Sequence, residues 1–213
     1  LKQEKWTTRR RHSLPIRVWE NTILVDYEAY FYSQAKGLSI RTSQVFLKSY
    51  DDAVNWICRN QLKRTDIAEE MRKYLIGKLY LTERALGAIE RATARSAIRA
   101  GEKAPEYIYT TAMQEATATN KASRIGAEYH IASETVKKYG RYASCLDQLF
   151  AQAPAFIQKI LQGKIYLSHE SMMTIQAMNR AELISVTRYF LDETERNPTF
   201  NKYRVKQEKE RKD

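Results

Sequence analysis

The sequence predicts a mainly α-helical protein with a small N-terminal α/β part. Only seven glycines and four prolines occur in 213 residues, too few for a β-rich fold with many tight turns. From Met71 to Ile89 apolar positions recur at helical spacing. Short apolar, β-branched runs are confined to the first fifty residues.

In chain order, residues 22–25 (TILV) read as a strand, 27–36 (YEAYFYSQAK) as a helix that Gly37 can cap, and 44–48 (QVFLK) as a second strand. This is strand–helix–strand, a βαβ remnant. Two strands do not make a stable sheet. Either residues 16–19 (IRVW) add a strand or more sheet lies upstream of Leu1, which is not an initiator Met and is read as a point within a longer protein.

Asp51 is the expected N-cap of a helix reaching about Lys63, with Val54, Ile57, Cys58 and Gln61 or Leu62 on one face. Trp56, on that helix, is expected to pack at the junction between the two parts of the chain. Residues 67–99 form a long helical pattern through Met71, Leu75, Leu79, Thr82, Leu86 and Ile89. Gly77 and Gly87 each weaken it by about 1 kcal/mol relative to Ala, so close packing is expected there. GEKAP (101–105) breaks the pattern, and Pro105 suits a first turn. Helices follow at about 106–117, 121–129, 133–149, 154–162, 169–178 and 180–193, the last ended by Asn197-Pro198. The charged tail NKYRVKQEKERKD is expected to be frayed. The expected division is 1–50 α/β, 51–100 connecting helices, 101–195 helical DNA-binding domain and 196–213 tail.

The formal charge is +11, from 36 Lys+Arg against 25 Asp+Glu, which favours polyanions as partners. Cys58 and Cys145 form no disulfide framework and read as small buried hydrophobes in a reducing, cytoplasmic setting. His12, His130 and His169 lack metal-ligand spacing, so neither metal nor cofactor is expected. No apolar run approaches a membrane span, and the basic N-terminus lacks the apolar stretch of a signal peptide. The basic run at 9–12 (RRRH) reads as a solvated terminus or a DNA-contacting arm.

The stretch RIGAEYHIASETVKKYGRY (124–142) has the pattern of a helix-turn-helix. Ile125, Tyr129, Ile131, Val136 and Tyr139 take the packing positions, and Gly126 is the small residue where the helices touch. His130 falls at the corner, where left-handed backbone is required; His is among the few side chains enriched there. A generic helical hairpin is the alternative. The candidate DNA-binding residues are Lys121, Arg124, Ser133, Glu134, Thr135, Lys137, Lys138, Arg141 and Tyr142. Ser133, Glu134, Thr135 and Lys138 lie where base edges would be read, and Glu134 suits either a cytosine amino group or the helix dipole. Lys121 and Arg141 read as phosphate contacts; Tyr142 reads as a phosphate contact or a packing residue.

The run from Thr119 to about Met178 resembles the central DNA-binding domain of ParB-type partition proteins. In AFIQKILQGKIYLSHESMMTIQAM (155–178), Gln158, Leu161, Gly163, Lys164 and Ile165 match that family's pattern in order. The segment 54–80 resembles the family's join between its N-terminal and helical domains, with Asn60 matching and Arg59 standing where the family has a glutamate. The segment 23–38 resembles its second N-terminal motif, with Asp26 kept, Tyr27 replacing a glycine and Tyr30 an arginine. The family uses these places to hold magnesium and CTP, so the resemblance, over roughly 16–195, implies an inherited scaffold whose nucleotide site is lost. It also implies double-stranded DNA as partner, a homodimer for palindromic half-sites, and a bacterial, nucleoid- or plasmid-associated role in partition or transcriptional regulation.

Two rival classes stand beside it. A CTP- or metal-dependent hydrolase or nuclease would draw on Asp26, Glu28, Asp51 and Asp52. A protein-binding scaffold would use the aromatic cluster Tyr27, Tyr30, Phe31 and Tyr32, provided it is exposed.

Overall fold

A computed structural model of the chain describes residues 15–100, 121–192 and 198–210. The basic run at 9–12, the break at 101–105 and the helix expected at 106–117 lie outside the described residues. The chain divides into two compact units, Leu1–Ile57 and Cys58–Asp213.

In the first unit, β1 (Ile16–Trp19) lies between β2 (Thr22–Ile23) and β3 (Thr42–Gln44). It pairs antiparallel with β2 and parallel with β3, so residues 16–19 supply the third strand of the sheet. α1 (Tyr27–Ala35) joins β2 to β3. Gly37, at φ +62°, closes α1: its N–H donates to Gln34 O, and Leu38 N–H donates to Ser33 O at 2.9 Å. This paired closure needs a left-handed residue, which glycine supplies without a Cβ penalty. β3 begins and ends earlier than the expected 44–48. The reason is its partner: β1 offers only Ile16–Val18, and the last bond runs from Val45 N–H to Val18 O at 2.7 Å. Phe46, beyond it, is 90% exposed.

α2 (Tyr50–Leu62) is capped by Ser49, not by the expected Asp51. Ser49 Oγ accepts the Asp52 N–H at 3.2 Å and donates to the Asp52 carboxylate at 2.9 Å. The reciprocal pair satisfies an orphan N–H of the first turn and leaves Asp51 inside that turn.

The second unit is helical throughout its described secondary structure: α3 (Glu69–Arg99), α4 (Lys121–Tyr129), α5 (Ser133–Phe150), α6 (Pro154–Leu161), α7 (His169–Gln176), α8 (Arg180–Leu191) and α9 (Phe200–Glu210). α5 is the central helix and packs on α3, α4, α6 and α7. The deepest core joins Leu146 of α5, Phe156 and Ile160 of α6, Met172 and Ile175 of α7 and Val186 of α8. Side-chain caps fix two of the short helices: Ser168 accepts from Ser171 N–H, and Asn179 and Glu182 form a reciprocal capping box. At the end of α6, Gly163 turns the chain at φ +71°, with Lys164 N–H donating to Lys159 O at 2.9 Å.

α3 and α5 cross in close contact at two glycines. A Cβ on Gly77 would lie 2.1 Å from the Tyr139 carbonyl oxygen and 2.8 Å from Ala143 Cβ. In return, Gly140 of α5 makes room for the Tyr80 ring. The sequence expectation that Gly77 serves close packing holds. Beneath this crossing Glu70 is buried, accepting the Tyr142 hydroxyl at 2.6 Å and pairing with Lys73 Nζ at 2.8 Å.

The charged tail departs from expectation. Residues 200–210 form α9, whose Phe200 and Tyr203 are buried in the core. The Tyr203 ring lies 5.5 Å from that of Tyr189, and Lys206 sits over the Tyr189 ring. Two aromatic anchors of about 1.5–3 kcal/mol each offset the ordering of an otherwise polar segment. Cys58 and Cys145 are buried free thiols, and burial pushes both up to about 11, which leaves them protonated and unreactive at neutral pH. Among the described residues no helix is long and apolar enough to cross a membrane.

Candidate nucleic-acid interface

The helix-turn-helix pattern becomes α4, a three-residue connection and α5. His130 takes the left-handed corner at φ 57°. Ile131 N–H donates to Gly126 O at 2.8 Å, and a Cβ on Gly126 would meet Ile131 O at 2.5 Å, so the corner folds back onto a residue that must be small. Ile125 and Val136 are fully buried beneath it, while Tyr129, Ile131 and Tyr139 are half-buried. A left-handed side chain at 130 stores backbone strain. His130→Gly is therefore expected to stabilise the protein by about 0.5–1 kcal/mol and His130→Val to destabilise it by about 1–2 kcal/mol, read as shifts of the urea midpoint at constant m-value. A midpoint for His130→Gly at or below wild type would exclude strain at this corner.

The candidate contact residues separate into two groups. On α5, Glu134, Lys138 and Arg141 are exposed, and Ser133, Thr135 and Lys137 are half-buried. Lys137 Nζ pairs with Glu134 at 2.6 Å, and this bond holds the Glu134 carboxyl below the usual range. Lys138 and Arg141 make no hydrogen bond or ion pair among the described residues. Ala132 at the N-cap provides no side-chain acceptor, so no side chain caps the first turn of α5.

The other group is engaged within the protein. Tyr142 is 4% exposed with its hydroxyl on Glu70; burial and that bond raise its pKa. It is a packing residue, not a phosphate contact, because the hydroxyl points into the α3–α5 seam. Lys121 Nζ donates to the Glu83 carbonyl at 2.6 Å, and Arg124, although exposed, pairs with the Glu83 carboxylate.

Glu83 is the centre of a network that sequence reasoning missed. It is 5% exposed and accepts from Arg59 at 2.9 Å as well as from Arg124. Arg59 also pairs with Glu128. Burial would push the Glu128 carboxyl up, but bonds from Arg59 and Tyr129 outweigh it and hold it below the usual range. Burial and the Glu128 bond push the Tyr129 phenol up to about 12. Within the second unit Arg59, in the last turns of α2, thus bonds both α3 and α4, a use that accounts for a guanidinium at this position.

In the first unit, Tyr27, Phe31 and Tyr32 are exposed, and Tyr30 is half-buried with its ring edge-on to Phe31 at 5.4 Å. The Tyr27 hydroxyl donates to Ile23 O. Asp26 sits at φ 67° before α1, and Asp52 is engaged by Ser49. Among the described residues no three His, Cys, Asp or Glu side chains group as metal ligands. No protein-family model matches the chain, and neither a curated protein nor a solved structure matches it.

Proposed function

We propose that the chain is a sequence-specific, double-stranded-DNA-binding protein of ParB type, with α4, the His130 corner and α5 as its reading head. It acts in partition of a plasmid or mobile element, or in transcriptional regulation, in the bacterial cytoplasm and as a homodimer on palindromic sites. The observation that carries the reading is the corner itself. A left-handed His130, a small Gly126 against Ile131 O and an exposed Lys138–Arg141 edge on the second helix, unpaired among the described residues, are the parts a helix-turn-helix needs. Selection of bound duplexes from a random pool tests it. One enriched motif is the expected result; equal recovery of all sequences would overturn the reading.

A protein-binding role for the first unit is the second reading. It rests on Tyr27, Phe31, Phe46 and Tyr50, all exposed in a unit with a three-stranded sheet. Neither reading needs a cofactor. The rival hydrolase reading would need its four carboxylates as a group, and Asp52 is engaged in capping α2.

A further inference from the structure

Two clefts flank the segment that links α6 to α7. One, of about 550 Å³, opens beside the start of α5 and is lined by Lys73, Thr135, Lys138, Tyr139 and His169, with the engaged Glu70 and Tyr142 at its base. The other, of about 340 Å³, is lined by Ser171 and Thr174 of α7 and by Asn201 and Arg204 of α9. Tyr166, Leu167 and Ser168 line both, so this segment is the ridge between them. The ridge carries the exposed Tyr166 and the Ser168 hydroxyl, which shares a 2.8 Å bond with Ser171. Arg204 is exposed and makes no ion pair among the described residues.

We propose that the Tyr166–Ser168 ridge carries one strand of the DNA backbone away from α5, with Lys138 on one side and Arg204 on the other, so that α9 belongs to the DNA surface. The inference rests on the reading of α5 as the DNA-reading helix. Hydroxyls and cations strung along two open clefts suit a chain of phosphates, which needs many weak donors in line and no enclosed pocket. His169 faces the same charges: burial first, then Lys138 and Arg141, lower its pKa. Among the described residues Glu170 is the one carboxylate lining the second cleft. Polar tyrosine and serine groups serve as phosphate donors without reading sequence, so the ridge adds affinity and footprint length but leaves the chosen motif unchanged.

The test uses the best duplex from the random-pool selection, with affinity measured at several salt concentrations and the protected backbone mapped by hydroxyl-radical footprinting. Arg204→Gln and Tyr166→Phe are compared with Lys209→Gln, which removes the same charge from α9 but lies outside both clefts. Arg204→Gln is expected to weaken binding about five- to tenfold and to lower the salt slope by about one. Tyr166→Phe weakens it less, both shorten the footprint at one end, and Lys209→Gln matches wild type. Wild-type affinity, slope and footprint in Arg204→Gln, or an equal loss in Lys209→Gln, would overturn the ridge while leaving the reading head standing. A wild-type protein that selects no motif overturns both.

Discussion

Replacing Lys137, Lys138 and Arg141 together with glutamate is expected to weaken binding to the selected duplex by about 100-fold or more at moderate salt. These side chains lie on or beside the solvent face of α5, and two of them are not engaged within the described protein. Each reversal removes a cation from the phosphate field and adds a repulsive charge. The fold should tolerate the change, since among the described residues the bond lost is the surface pair from Lys137 to Glu134. Anisotropy titrations alongside thermal melts separate the two effects. A triple variant that melts like wild type and still binds like wild type would show that α5 does not face DNA.

The second large effect is on stability. Gly77→Ala is expected to destabilise the protein by about 2–3 kcal/mol, even though alanine favours a helix by about 1 kcal/mol over glycine. The added methyl would meet backbone, at 2.1 Å from the Tyr139 carbonyl oxygen, so no rotamer change can relieve it. α3 and α5 would have to separate, loosening Leu79, Ala143 and the Glu70–Tyr142 bond along the seam. Gly37→Ala is the contrast: open space surrounds that position, and only the left-handed backbone opposes a side chain, at a cost of about 1 kcal/mol. Urea denaturation of both variants ranks them. A Gly77→Ala stability within about 0.5 kcal/mol of wild type would mean that the crossing has slack.

Much of the helical unit was legible because its signals are local. The four-and-three spacing from Met71 marked α3, and the helix-turn-helix pattern placed the left-handed corner on His130, one of the few side chains that accept it. α9 was not legible: only Phe200 and Tyr203 face inward, too few to raise a periodic signal in a segment rich in Lys, Arg and Glu. Strand ends also escaped, because β3 stops where β1 runs out of partners and not where its own apolar residues end. The choice of Ser49 over Asp51 as cap turned on a single residue of register. The Glu83 network was out of reach for a different reason. Its partners stand 24 and 41 residues away, and Arg59 meets Glu128 across 69, so no spacing rule connects them. For the same reason Lys121 and Arg124 looked like free cations in sequence.

That network shapes how a polyanion would approach. Around Glu83 two guanidiniums face two carboxylates, so their fields cancel within about one Debye length, ~8 Å at physiological salt. Lys138 and Arg141 keep theirs. A chain of formal charge +11 therefore does not attract evenly from this part of its surface. On the α4 flank the two guanidiniums are matched and Lys121 is held on the Glu83 carbonyl, whereas the α5 edge carries Lys138 and Arg141; on the proposed reading this difference would turn an approaching duplex toward the second helix.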